Sequence, residues 1–223
     1  MPDRETVRYP GDFPEWLTVS VCRERTSCNP YFYFLRKTQI TSTFRQMASS
    51  QNPTLFTIGH STRSIEEFLD LLNSFHIKTL ADIRRLPGSR KYPQFDQDQL
   101  RKSLEENGID YVYIENLGGR RKAAADSKNT TWRNKSFQAY ADYMETESFE
   151  DGAKMLEKCA LEKPTAMMCS EAVWWRCHRS MVSDYFKAKG WEVLHIMAAG
   201  KATEHPYTSP ARVEGDKVFY TEK

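Results

Sequence analysis

Short apolar runs alternate with amphipathic stretches from Thr54 onwards, and this alternation constrains the fold more than any other feature of the chain. Residues 55–58 are typical of a buried strand, and the amphipathic stretch after them begins with a capping box formed by Ser64 and Glu67. Further strand-like runs occur at 79–83, 110–114, 164–169 and 191–197. Strands that alternate with helices pair in parallel through right-handed crossovers. The sequence therefore predicts an α/β fold, a three-layer sandwich that is Rossmann-like and has a mainly parallel sheet of about five strands.

The same pattern divides the chain into three parts. Residues 1–50 show no sustained apolar period, so we expect a poorly ordered N-terminal extension, with the folded part beginning close to Met47. Residues 54–200 form the predicted α/β domain. Residues 201–223 are expected to be a C-terminal tail that can form a short hairpin turning at Gly215 and Asp216.

Composition narrows the functional class only slightly. The content of 39% hydrophobic residues supports a substantial core, whereas a net charge of +2 is too small to indicate a nucleic-acid partner by itself. Five cysteines, the lack of a long apolar stretch and the lack of a signal peptide predict a cytoplasmic or nuclear protein with reduced thiols and no membrane partner. Nothing in the composition indicates an oligomeric state.

Residues 169–179 are unusually rich in reactive side chains. They contain two thiols, a carboxylate, a histidine and two guanidinium groups between a predicted strand and a predicted helix. Polar residues also lie just after the other predicted strands or within their last residues: His60 and Ser61, Asp82 and Arg84, Glu115, and His195 within the fifth strand. Because the C-terminal ends of parallel strands lie at one edge of the sheet, these residues are predicted to converge on a single site.

Three of these segments together resemble one known family. They are Gly59-His60-Ser61; Asp82-Ile83-Arg84 with Pro87-Gly88-Ser89-Arg90 and Pro93-Gln94-Phe95; and Cys169-Ser170-Glu171 with Cys177-His178-Arg179. In this order they resemble the DUF488 family, a domain of unknown function, over roughly 54–197. The resemblance implies a fold and a site but no chemistry, so the reaction has to be argued from the residues.

The residue types at this edge separate groups that can react from groups that can bind. Carboxylates and histidines exchange protons near neutral pH, a thiol close to a helix N-terminus can be a nucleophile, and guanidinium groups bind anions. We therefore expect catalytic roles for Glu171, Asp82, His60, Cys177 and His178, and substrate binding by Ser61, Arg84, Arg90, Arg176 and Arg179. Two structural alternatives stay open: Cys177 can be a packing thiol, and Asp82 can form an ion pair with Arg84 or Arg179 that only orients the strand ends.

The sequence does not favour a bound metal, and it does not identify a cofactor. The side chains of the adjacent residues Cys177 and His178 are expected to diverge at a helix start, and the chain has no Cys-x2-Cys pair. Two predicted loops, at 84–95 and 120–135, are instead rich in Lys and Arg and contain aromatic residues. Such loops bind nucleotides or single-stranded nucleic acid, or they form an ordinary solvated basic surface.

These observations lead to one hypothesis with two alternatives. The chain is expected to be an enzyme, a hydrolase or a transferase, that acts on a phosphate-bearing or nucleic-acid-related substrate at the C-terminal edge of the sheet. Its partner is then an anionic small molecule or a nucleic acid. The alternatives are a nucleic-acid-binding module without catalysis, and a thiol-based redox or metal-sensing protein.

Overall fold

The computed structural model describes residues 52–122 and 124–222, so the prediction for residues 1–50 lies outside the described residues. The regular elements are β1 (Thr54–Gly59), α1 (Ile65–Asn73), β2 (Thr79–Asp82), α2 (Gln97–Glu106), β3 (Asp110–Tyr113), α3 (Lys135–Met144), α4 (Glu147–Glu162), β4 (Thr165–Cys169), α5 (Arg179–Ala188), β5 (Glu192–Ala198), β6 (Lys201–Glu204), β7 (Arg212–Glu214) and β8 (Lys217–Phe219). Short 3-10 turns lie at Pro93–Phe95, Glu115–Leu117 and Trp174–Arg176.

The central sheet has six strands in the order β3-β2-β4-β1-β5-β6. The first five strands in this order are parallel, and β6 joins β5 in the antiparallel direction. The predicted α/β sandwich with a mainly parallel sheet is therefore confirmed. The strand order differs from the order 3-2-1-4-5-6 of the dinucleotide-binding fold, so the Rossmann-like part of the prediction is not confirmed.

Helices cover both faces of the sheet and create two separate cores. Phe68 and Leu72 of α1 and Leu100 and Leu104 of α2 form one core, and α3, α4 and α5 pack on the opposite face. Successive strand residues point to opposite faces. In β4, for example, Met168 belongs to the core under α1 and α2, whereas Met167 and Cys169 belong to the core under α3, α4 and α5.

Local hydrogen bonds explain where two of the helices begin. The predicted capping box of α1 is present, since the Ser64 hydroxyl accepts from the Glu67 amide while the Glu67 carboxylate accepts from the Ser64 amide. Helix α4 begins after Thr146, whose hydroxyl accepts from the amide of Phe149 at 3.3 Å. The preceding helix α3 ends at Met144, so α3 and α4 are separate helices.

Residues beyond Gly200 contribute directly to the folded domain. Residues 201–204 form β6, and the side chains of His205 and Tyr220 are buried. Strands β7 and β8 form a hairpin that turns at Gly215 and Asp216, where the sequence predicts one. The domain boundaries themselves stay a prediction. No helix within the described residues is both long and apolar enough to cross a membrane.

Candidate functional site

The loops that follow β1, β2 and β4 meet at the C-terminal edge of the sheet. The amides of His60 and Ser61 donate to the carbonyls of Cys169 and Ser170 at 3.0 and 2.9 Å. The amide of Ile83 donates to the carbonyl of Met168 at 3.0 Å. These hydrogen bonds extend the pairing of the strands into their loops, so the polar residues that follow each strand are held side by side.

The alternation of strand side chains divides the predicted site between the two faces of the sheet. His60, Asp82 and Arg84 lie with Phe95, which belongs to the core under α1 and α2. Cys169 and Cys177 belong to the core under α3, α4 and α5. The predicted residues therefore share one edge but form two neighbouring clusters.

Cys169, Cys177 and His178 form the second of these clusters, which we call the Cys/His cluster. His178 Nδ1 lies 3.6 Å from Cys177 Sγ and 3.9 Å from Cys169 Sγ. The expectation that Cys177 and His178 diverge is wrong. The backbone of Cys177 is extended, whereas that of His178 is helical, and this change brings the two side chains together.

Hydrogen bonding fixes the tautomer of His178. Its Nε2 lies 3.1 Å from the carbonyl oxygen of Ile83, which can only accept a hydrogen bond. Nε2 therefore carries a proton, so in the neutral ring Nδ1 is the nitrogen with the lone pair, and it faces the two sulfur atoms. A neutral imidazole in this state can accept a proton or bind a cation through Nδ1.

The two thiols of the cluster share a proton unequally. Burial raises the pKa of the Cys177 thiol, but the hydrogen bond with Cys169 and the charge of Arg179 outweigh that effect and lower the pKa to about 6. The hydrogen bond with Cys177, together with burial, raises the pKa of Cys169 to about 12. Cys177 is therefore the thiol of the pair that ionises first.

Asp82 and Arg84 form a fully buried ion pair at the end of β2. Arg84 Nη2 donates to Asp82 Oδ2 at 2.6 Å, and the Tyr111 hydroxyl donates to the same oxygen at 2.8 Å. Arg84 Nη1 also donates to the carbonyl of Phe95 at 2.7 Å. This geometry favours the structural alternative, in which Asp82 and Arg84 orient the loop after β2.

His60 lies against this ion pair and stacks on Phe95 at a ring-centroid distance of 4.2 Å. Burial and then the charge of Arg84 lower the pKa of His60 to about 4. His60 is therefore neutral at physiological pH. In this state it can accept a proton but cannot act as a general acid.

Arg179 is also buried, at 1% exposure, and is used internally. Its Nη2 donates to the carbonyl of Glu171 at 2.6 Å, and its Nη1 donates to Thr57 Oγ1 at 3.3 Å. These contacts hold the loop after β4 against β1. The expected role of Arg84 and Arg179 in anion binding conflicts with their burial, and we assign both to positioning.

Four other predicted residues lie at the surface of the same edge. Glu171, Arg90 and Arg176 are exposed, and Ser61 is half-buried. Within residues 52–122 and 124–222, no hydrogen bond or ion pair involves the side chains of Glu171, Arg90 or Arg176. Glu115, by contrast, forms an exposed ion pair with Arg85 at 2.6 Å.

A buried chain of hydrogen bonds that sequence reasoning missed lies behind Arg179. His195 Nδ1 is 2.7 Å from Thr57 Oγ1, and His195 Nε2 is 2.9 Å from His205 Nδ1. His205 Nε2 is in turn 3.0 Å from Asp184 Oδ1. His195 was predicted to lie at the site, but His205 and Asp184 carry no local sequence signal, since their contact depends on the packing of distant segments.

Gly119 is another residue whose role the sequence does not show. A Cβ atom at Gly119 would lie 2.8 Å from His178 Nδ1 and 3.2 and 3.3 Å from its Cγ and Cε1. These nearly equal distances place Gly119 over the face of the imidazole ring. The Gly118-Gly119 pair between a strand and a basic stretch was the available signal. A separate groove of about 580 Å³ lies at the opposite edge, beside Thr54, Lys187 and Glu192, and contains none of the predicted residues.

Comparison with known proteins gives one match. The family model described as "Domain of unknown function DUF488" matches residues 64–186. No curated protein and no solved structure matches the chain.

Proposed function

The chain belongs to the DUF488 family, a family of unknown function, and from its site we propose that it is an enzyme, a hydrolase or a transferase, acting on a phosphate-bearing or nucleic-acid-related substrate. The proposed substrate site is the C-terminal edge of the sheet. The proposed partner is accordingly an anionic small molecule or a nucleic acid inside the cell.

The concentration of positive charge at this edge carries the proposal. The loops that leave the C-terminal strand ends, at 60–63, 83–96, 114–122 and 170–178, contain eight Lys and Arg residues, apart from Arg84, whose charge is balanced by Asp82, and three Asp and Glu residues. The whole chain has 32 Lys and Arg residues and 30 Asp and Glu residues, so the sequence outside these loops has a net negative charge. A local excess of cations attracts anionic substrates and raises their rate of association.

Exposed side chains at this edge have the chemistry that a nucleotide or oligonucleotide requires. The guanidinium of Arg176 is exposed and free to pair with phosphate, and the neighbouring Trp175 is 52% exposed. An exposed indole stacks on nucleobases without strong sequence preference. Arg90, in the loop after β2, supplies a second exposed guanidinium.

Glu171 is the best candidate for the acid or base of the reaction. It is exposed at the same edge, two residues after Cys169, and its carboxylate forms no hydrogen bond with a described residue. Asp82 is fully buried in its ion pair, and His60 is neutral and buried. Among the predicted acid-base residues, Glu171 is therefore the carboxylate that can meet a substrate without rearrangement of the core.

The Glu171→Gln variant tests the proposal. We would first identify a substrate by thermal shift with inorganic phosphate, mononucleotides and a 5′-phosphorylated single-stranded oligonucleotide. With that substrate, Glu171→Gln should lower turnover by about 10²-fold or more while anion affinity stays equal or increases, because a negative charge is removed. Glu115→Gln, which removes an exposed carboxylate at the same edge, is the matched control and should keep normal turnover.

The outcome distinguishes the enzyme from its alternatives. Normal turnover in Glu171→Gln would assign Glu171 to the scaffold and remove the proposed acid-base group. If the unmodified protein bound the oligonucleotide tightly but turned over none of the substrates, the nucleic-acid-binding module would replace the enzyme as the better account.

A further inference from the structure

The geometry of the Cys/His cluster points to a metal site: we propose that Cys169, Cys177 and His178 bind a borderline-soft divalent cation, with zinc preferred, and leave one coordination position open. The binding of the cation stands on the cluster alone. Only the use of the open position by a substrate rests on the proposed function.

The distances within the cluster fit tetrahedral coordination. With bonds of about 2.3 Å to sulfur and about 2.0 Å to nitrogen, a tetrahedral zinc ion places its sulfur and nitrogen ligands about 3.5 Å apart. His178 Nδ1 lies 3.6 and 3.9 Å from the two sulfur atoms, and all three ligand atoms lie within 4.8 Å of one another. The three side chains can therefore bind one ion with displacements of a few tenths of an ångström.

The tautomer of His178 is the one that a metal requires. Metal-binding histidines usually donate their second ring N–H to a carboxylate or a backbone carbonyl, which fixes the ring and directs the free lone pair toward the ion. His178 makes this contact through Nε2 with the carbonyl of Ile83 at 3.1 Å. A side chain at Gly119 would collide with the ring at Nδ1, so glycine leaves room beside this nitrogen.

The ligands are held by different elements of the fold. Cys169 is the last residue of β4, Cys177 ends a 3-10 turn, and His178 caps α5. Cys169 and Cys177 are 6% and 3% exposed, so both thiols are shielded from bulk water. A site assembled before the metal arrives requires little reorganisation on binding.

With three protein ligands, a tetrahedral ion has one coordination position that the protein does not fill. Within the described residues, no fourth His, Cys, Asp or Glu joins the group. Structural zinc sites use four protein ligands, whereas catalytic sites use three and keep a position for water or substrate. The set of two cysteines and one histidine therefore favours a catalytic or sensing site, in which Cys177 is a ligand and not a nucleophile.

Cobalt(II) titration of the full-length, reduced and chelator-treated protein tests this inference. We expect one equivalent to bind and to produce the charge-transfer absorption of cobalt thiolates together with the intense visible bands of tetrahedral cobalt. Cys169→Ser and Cys177→Ser should each lose part of the charge-transfer absorption, and His178→Gln should alter the visible bands. Cys159→Ser removes a thiol from α4, away from the cluster, and should match the unmodified protein.

A second measurement avoids dependence on variants that do not fold. X-ray absorption of the zinc-loaded, unmodified protein should show two sulfur neighbours at about 2.3 Å and nitrogen or oxygen neighbours at about 2.0 Å. A coordination shell without sulfur, or a folded protein that binds neither cobalt nor zinc, would overturn the inference. Retention of the full charge-transfer absorption in both cysteine variants would do the same.

Failure of the metal site and failure of the proposed function give different results. If the cation binds but neither phosphate nor the oligonucleotide binds or reacts, the metal site stands and the proposed function fails. If the metal-free protein turns over its substrate at the rate of the metal-loaded protein, turnover does not use the open coordination position, and that part of the inference fails. If it also binds no metal, the inference fails and the enzyme stands.

Discussion

At the scale of single residues, burial decides which reactive side chains can take part in chemistry. Asp82 and Glu171 are both carboxylates at the C-terminal edge of the sheet, but Asp82 is fully buried and Glu171 is exposed. Asp82 accepts hydrogen bonds from Arg84 and Tyr111. It therefore stabilises the loop after β2, whereas Glu171 is exposed and is the carboxylate that we propose as the acid or base.

We predict that Asp82→Asn destabilises the protein strongly. The substitution leaves the Arg84 guanidinium buried without its counter-charge, and breaking a buried pair in this way costs about 3–5 kcal/mol. The free energy of unfolding from urea titration measures the loss. Glu115→Gln breaks the exposed pair with Arg85 and should change stability only slightly. Equal losses in the two variants would contradict the assigned role of burial.

From the sequence one can predict which residues lie at the C-terminal edge of the sheet, but not which of their side chains are exposed. His60, Asp82, Glu171 and His178 were expected at the C-terminal edge because each follows a predicted strand, and the structure places them there. That Arg179 is withdrawn into the core is not visible in the sequence, because its partners Thr57 and Glu171 reach it only through tertiary packing.

At the scale of elements, the site depends on close contact between the loops after β1 and β4. A Cβ atom at Gly59 would lie 1.9 Å from the carbonyl oxygen of Glu171 and 2.8 Å from Arg179 Nη2. Only glycine allows this approach. The sequence predicts the strands at 55–58 and 164–169, but the distance between the loops that follow them depends on the pairing of β1 with β4, which are far apart in the chain.

We predict that Gly59→Ala lowers stability by about 1–3 kcal/mol or more, the usual cost of overpacking, because a backbone carbonyl cannot move aside without disturbing the loop after β4. Thermal and urea unfolding measure the effect. Gly88→Ala is the matched control, since the nearest atom to its new Cβ would be the flexible carboxylate of Asp96 at 3.6 Å. A Gly59→Ala variant as stable as Gly88→Ala would show that the two loops are not tightly packed.

Elements with strong apolar patterns were predictable, and weak ones were not. The run 164–169 is buried on both faces and was predicted as a strand, which the structure confirms as β4. Strand β6, at Lys201–Glu204, is polar and lies at the edge of the sheet. Because an edge strand of this composition has no apolar alternation, only its pairing with β5 identifies it.

At the scale of the whole molecule, the sheet joins residues from the full length of the described domain. The chain from Thr57 through His195 and His205 to Asp184 connects β1, β5, the segment after β6 and α5. Trp174, in the loop after β4, stacks on His195 with the ring centroids 4.5 Å apart, so the network contacts this loop. The C-terminal residues therefore support the same edge that carries the Cys/His cluster.

This network predicts a pH dependence of stability. Burial, with the neighbouring His205 and Arg179, lowers the pKa of His195 from 6.5 to about 2. The unfolded chain therefore binds a proton below about pH 6.5 that the folded protein does not bind, so the contribution of His195 is complete above this pH and decreases as the pH falls. The free energy of unfolding should fall by up to about 1.4 kcal/mol per pH unit for this group between about pH 6.5 and 4.5.

Urea unfolding across this pH range tests the assignment. His195→Asn should be less stable at neutral pH but should show a flatter dependence of stability on pH. His76→Asn replaces an exposed histidine whose positive φ of 54° suits asparagine, and it should keep the slope of the unmodified protein. An unchanged slope in His195→Asn would indicate that other groups control the acid sensitivity.

The central claim is that the C-terminal edge of the sheet is an anion-binding site, and calorimetric titration with a 5′-phosphorylated single-stranded oligonucleotide tests it most directly. The double variant Arg90→Ala, Arg176→Ala should bind at least about tenfold more weakly, because it loses two guanidinium contacts with phosphate. The double variant Lys102→Ala, Lys158→Ala removes the same charge from exposed positions on α2 and α4 and should bind normally. Equal weakening in both variants, or no weakening in the arginine variant, would contradict the claim.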